Sequence, residues 1–147
     1  MYAAVDMLGE LASWSAERFG DRTFLECWSS TDGVCERLSF ADFAERERHA
    51  RELLASLGAK HGLRVAMLSH ACPDSLALTL ASAALGCVVV NLNWRQPASM
   101  LLALTQGLGC ELLVAGRSFA ETARTLCCDA VVPPHRLLLL DHSELEL

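Results

Sequence analysis

Lysine is almost missing from this chain. Lys60 is the only one in 147 residues, and the other eleven basic side chains are arginines. No G-x-G-x-x-G or G-x-x-x-x-G-K-[ST] stretch occurs, so neither common glycine-rich phosphate cradle is available. The richest Ser/Thr/Gly cluster, Ser29-Ser30-Thr31-Asp32-Gly33, has no lysine and places a carboxylate where phosphate would sit. It reads as a surface hairpin turn. C-x-x-C is absent, and the adjacent Cys127 and Cys128 fit no zinc spacing. None of the five histidines pairs with another at i, i+4 spacing, and H-E-x-x-H does not occur, which removes the usual helical metal site. The nucleophile elbow G-x-S-x-G is likewise absent. Basic charge is outweighed: twelve Lys and Arg face eighteen Asp and Glu, for a net charge of −6. That balance disfavours nucleic acid or an anionic lipid surface as partner.

What is present is a globular composition, 52% hydrophobic and 20% charged, rich enough in apolar residues for one packed core. The seven cysteines, odd in number and irregularly spaced, read as small buried hydrophobes in a reducing compartment, with the cytoplasm, or an organelle such as the peroxisome, as the expected location. Asp6, Glu10, Glu17 and Arg18 interrupt what would have to be the apolar core of a signal peptide. Ser75 to Trp94 carries no charge and has the length of a bilayer span, about 20 residues. Its character changes midway, however: Leu76 to Leu85 is Ala/Leu-rich, Cys87 to Leu92 is Val-rich, and Gly86 stands between them. A buried helix followed by a buried strand is predicted, with no membrane span.

Periodicity and breaker residues predict the remaining elements. Val5 to Phe19 forms a helix in which Val5, Leu8, Leu11, Ala12 and Ser15 recur at helical spacing. Thr23 to Ser29 and Val34 to Leu38 form a hairpin around Asp32-Gly33. Ser39 opens a helix through a capping box closed by Asp42; Phe43, Ala50, Leu54 and Leu57 share its apolar face, and Glu45, Arg46, Glu47, Arg48, Arg51 and Glu52 cover the others. From residue 60 onward strands at 64–69, 88–91, 111–115 and 136–141 alternate with helices at 73–85, 97–108 and 118–128. The fold class is therefore α/β: a parallel sheet flanked by helices, with a short N-terminal helix and a β-hairpin. The chain stops at Ser143-Glu144-Leu145-Glu146-Leu147, soon after a strand that lacks its covering helix, so the sheet is expected to be truncated.

Ligands in open α/β folds bind beyond the C-terminal ends of the strands. Four residues fall there and are the candidate binding residues: His70 after one strand, and Asn91, Asn93 and Arg95 around the next. Each has an ordinary alternative. His70 suits a surface loop, and the Asn91–Pro97 stretch suits a loop pinned by its own amides and capped into the following helix. Cys127 and Cys128 as reactive thiols, and any metal site, find less support than these structural readings.

Several of these segments, in this order and spacing, resemble the start of adenylate-forming enzymes, the AMP-dependent synthetases and ligases. Leu38-Ser39-Phe40-Ala41-Asp42-Phe43 is similar to their "L-[TS]-[YF]-x-[ED]-[LF]". Gly62-Leu63-Arg64-Val65-Ala66 resembles "G-D-R-V-A", with Leu63 replacing the acidic residue, and His70-Ala71-Cys72-Pro73-Asp74 resembles "N-x-x-[ED]". Ala81 to Asn93 is similar to "A-x-x-x-A-G-x-V-x-V-P-L-N", with Asn91 in place of proline, and Trp94-Arg95 resembles the "x-R" that follows in fatty and aryl acyl-CoA synthetases. Leu112-Leu113-Val114 resembles the next strand.

The resemblance spans roughly residues 5 to 141 and implies that residues 1–147 are part of an AMP-binding N-terminal domain. It implies a parent enzyme that uses ATP, Mg²⁺ and coenzyme A to convert a carboxylic acid to acyl-AMP and then to acyl-CoA. It also implies that the phosphate loop with its lysine, the acidic ribose-binding residue and a second lysine in a mobile C-terminal domain belong to a missing C-terminal portion, the expected partner of this stretch. Lys60 matches neither lysine, so no residue here is assigned a catalytic role, and no cofactor is expected on this fragment alone. The alternative is a stand-alone, non-catalytic α/β binding or interaction module; a membrane-attached segment built on Ser75 to Trp94 is the remaining option.

Overall fold

The computed structural model describes residues 4–29, 33–128 and 136–140. Its elements are α1 (Ala4–Phe19), β1 (Thr23–Ser29), β2 (Gly33–Ser39), α2 (Phe40–Ser56), β3 (Arg64–Leu68), α3 (Pro73–Ala84), β4 (Val88–Asn91), α4 (Ala98–Gly107), β5 (Leu112–Gly116), α5 (Ala120–Cys128) and β6 (Leu137–Leu140). β1 and β2 pair antiparallel, from Thr23 opposite Ser39 to Ser29 opposite Gly33, with two bulges. The four later strands form one parallel sheet in the order β4-β3-β5-β6. The α/β architecture, the parallel sheet with flanking helices and the small hairpin are those expected. The turn at residues 30–32, the cluster weighed above as a phosphate loop, lies outside the described residues.

The continuous apolar runs of β3 and β5 arise because the sheet is covered on both faces. Successive side chains of a strand point to opposite faces. Val65, Met67, Leu112 and Val114 therefore pack with Leu54 of α2 and with Ala77, Leu78 and Ala81 of α3. Ala66, Leu68, Leu113 and Ala115 pack with Leu101 of α4 and with Ala123 and Leu126 of α5. The uncharged run at 75–94 divides into a helix, α3, and a strand, β4, as predicted, but β4 is an edge strand with Val88 49% exposed and not the buried strand expected; among the described residues no helix is long and apolar enough to cross a membrane.

Gly86 makes the corner between these two elements. Its φ of +70° favours glycine, and a Cβ there would lie 2.8 Å from the His61 ring.

The capping box of α2 is fully formed: the Ser39 N–H donates to the Asp42 carboxylate at 3.1 Å, and the Asp42 N–H donates to Ser39 Oγ at 3.1 Å. These bonds, with the Ser39 hydroxyl donating at 2.7 Å, hold the Asp42 carboxyl below its ordinary pKa. A second box, not foreseen, starts α3. Ser75 Oγ accepts the Cys72 N–H at 3.1 Å, and Cys72 Sγ accepts the Ser75 N–H at 3.4 Å. A thiol at the N-cap is outside the usual Ser/Thr/Asp/Asn signature, which is why the sequence pattern does not reveal it.

Several local expectations are corrected. The helix expected at 118–128 begins as a 3₁₀ turn, Arg117–Phe119, before α5; Gly116 precedes it without a side-chain cap. The strand expected at 111–115 runs Leu112–Gly116, and Pro97 is the N-cap of α4, not its first residue. In α1, Ala12 is buried but Leu8 and Leu11 are exposed. The helix docks through its small residues: a Cβ on Gly9 would sit 3.4 Å from the Ala84 Cα. In α2 the buried side includes Glu47 alongside Phe43, Ala50 and Leu54. Glu47 is 4% exposed. Arg51 makes this possible: its Nη2 donates to both Glu47 oxygens at 2.8 Å and to the Gly9 carbonyl at 3.0 Å, tying α2 to α1. Of the cysteines, Cys110 and Cys127 are buried as expected, whereas Cys27, Cys72 and Cys87 are half-buried. The side chains of Cys35 and Cys128 lie outside the described residues.

Candidate functional site

Because β4, β3 and β5 are adjacent and parallel, their C-terminal ends bring residues far apart in sequence to one end of the sheet. β3 leads into Ser69 and His70, β4 into Leu92–Arg95, and β5 into the turn that carries Phe119. His70 stands edge-on to Trp94, with ring centres 4.6 Å apart at 86°, and to Phe119 at 4.8 Å and 65°. Trp94 and Phe119 lie 6.1 Å apart. One aromatic ring from each of three loops thus closes this end of the sheet, in the edge-to-face geometry that ring quadrupoles favour.

The four predicted residues divide into two groups. His70 and Asn91 line one cleft of about 240 Å³, together with Met67, Ser69, Ala71, Ser75, Thr79 and Leu92. Asn93 and Arg95 lie outside it. The Asn93 side chain accepts the Arg95 N–H at 3.1 Å and its carbonyl accepts the Gln96 N–H at 2.9 Å, so Asn93 shapes the turn, as expected of asparagine in a loop. It does not cap α4, since Pro97 occupies the N-cap position. Arg95 is exposed, and its guanidinium lies 4.1 Å over the Trp94 ring. Stacking orders the cation while leaving its N–H fork toward solvent, an arrangement able to hold a phosphate or a carboxylate.

Phe119 was missed in the sequence. Its only signal was its place just after a strand end, and nothing local shows that β5 lies next to β3.

The cleft hydroxyls are already engaged. Ser69 Oγ donates to the His70 carbonyl, Ser75 Oγ to the Cys72 carbonyl and Thr79 Oγ1 to the Ser75 carbonyl, at 2.8 to 2.9 Å. None is arranged as a nucleophile beside a base. Burial pushes the Cys87 and Cys110 thiols up, away from the reactive thiolate form. Among the described residues no three His, Cys, Asp or Glu side chains gather as a metal site. Lys60 lies before β3, at the other end of the sheet, with its carbonyl accepting the Cys87 thiol at 3.2 Å. Five strand residues at about 3.3 Å each separate it from His70. These groups can position and bind; they do not form acid–base or nucleophilic machinery.

Comparison with known proteins places this geometry. Over 122 residues the chain is 27% identical to the crotonobetaine/carnitine–CoA ligase of Salmonella typhimurium, a match that covers 83% of this chain and 23% of that enzyme. The chain therefore spans about a quarter of the length of the curated relatives it matches. In fold it is similar to a fatty acyl CoA synthetase of Mycobacterium tuberculosis (TM-score 0.77, 20% identity, 91% of this chain and 26% of the other). It is also similar to a long-chain-fatty-acid–CoA ligase of Archaeoglobus fulgidus (TM-score 0.78, 16% identity, 97% and 29%). The sequence profile of the AMP-binding enzymes matches residues 12–145, nearly the whole of the sheet and both helical layers, and the chain belongs to the AMP-binding enzyme family.

Proposed function

We propose that residues 1–147 are part of the AMP-binding domain of an acyl-CoA ligase, and that this stretch supplies scaffold without adenylation chemistry. The parent enzyme would activate a fatty or aryl carboxylic acid with ATP to acyl-AMP and pyrophosphate, then pass the acyl group to coenzyme A. The observation that carries this reading is the family match over residues 12–145, on a sheet whose sole lysine sits at the wrong end.

Phosphoryl activation needs cations aimed at the α-phosphate, where charge develops. A lysine beyond the C-terminal ends of the strands could supply one; Lys60 cannot reach from the opposite end. Mg²⁺·ATP is held mainly through one or two carboxylates and its own phosphates, and in this reading those carboxylates, with every chemical step, are assigned to the rest of the ligase. Coenzyme A, ATP and Mg²⁺ belong in this reading to the rest of the ligase, which is also the expected partner. The surrounding fold supports a more limited role for His70, Asn91, Asn93 and Arg95: they form the wall and turn that this part of the domain presents at its ligand end. A reducing compartment such as the cytoplasm is part of this reading, on the odd number and irregular spacing of the seven cysteines.

The test is to read the transcript and the neighbouring coding sequence. This reading requires a Ser/Thr/Gly-rich loop with a lysine, encoded in frame or in an adjacent gene whose product co-purifies with this chain. A complete transcript and locus without such a loop would refute it.

A further inference from the structure

We draw no further inference here: the strongest candidate, the open apolar cleft between β1 and the start of α3 that Leu25, Cys27, Cys72 and Leu76 line, carries nothing, because the chain spans about a quarter of its relatives' length and nothing in the structure shows what covers this face.

Discussion

The ion pair between Glu47 and Arg51 gives an unequal prediction for its two halves. Glu47 is almost wholly buried on the core side of α2, whereas the Arg51 side chain is 38% exposed. Arg51→Ala strands a carboxylate among apolar neighbours and also releases the Gly9 carbonyl of α1. Removing one partner of a buried pair costs about 3–5 kcal/mol, and since water can enter where the guanidinium stood, the lower figure of about 3 kcal/mol is expected. Glu47→Gln keeps an oxygen within reach of Arg51 and leaves the arginine half-solvated; it should cost about 1 kcal/mol. The double variant removes the stranded charge, so it should be more stable than Arg51→Ala by about 1–2 kcal/mol. Urea unfolding followed by far-ultraviolet circular dichroism, with similar slopes for all four proteins, gives these differences directly. A double variant that is less stable than Arg51→Ala would show that the carboxylate is not stranded when Arg51 is removed, and the account of this clip would be wrong.

Three further outcomes follow from local geometry. The Asp42 carboxyl is held below the ordinary value of 3.8 by the Ser39 hydroxyl and N–H, so the unfolded chain takes up the proton first as pH falls. The stabilisation by Asp42 is full above pH 3.8 and is lost as pH drops below it; urea midpoints of wild type and Asp42→Asn should differ at neutral pH and converge in acid. Gly86→Ala forces a side chain into a positive φ and against the His61 ring, and should lower unfolding free energy by about 1–3 kcal/mol in the same assay. Cys110 is wholly buried with its thiol pushed up, so alkylation of the native protein followed by peptide mass mapping should leave it unmodified while the denatured chain reacts there.

Much of the architecture was legible because it is written locally. Both-sided burial makes the runs of β3 and β5 continuously apolar, and Ser39 and Asp42 sit three residues apart as a capping box requires. What escaped depends on contacts between distant segments. The face of α1 is set by the fit of Gly9 against Ala84, which outweighs the pattern of its larger leucines. Glu47 reads as a surface charge until Arg51 is placed beside it, although its spacing from Phe43 and Ala50 already put it on the buried side. At the site, His70 and Asn91 were chosen for lying after strands, and the β3–β4 pairing brings them to one cleft. Phe119 needed knowledge that β5 lies against the other edge of β3. Asn93 was read as either ligand or cap; the structure gives it to the turn itself.

The central claim, a ligase scaffold without its adenylation chemistry, is tested most directly by acid-dependent ATP–pyrophosphate exchange on the purified 147-residue chain, with a panel of fatty and aryl acids. The account predicts no exchange above background with any acid. Exchange that depends on the added acid would mean that these residues build an adenylation site of their own, with Lys60 or the arginines doing what the account assigns to the rest of the enzyme, and would contradict it.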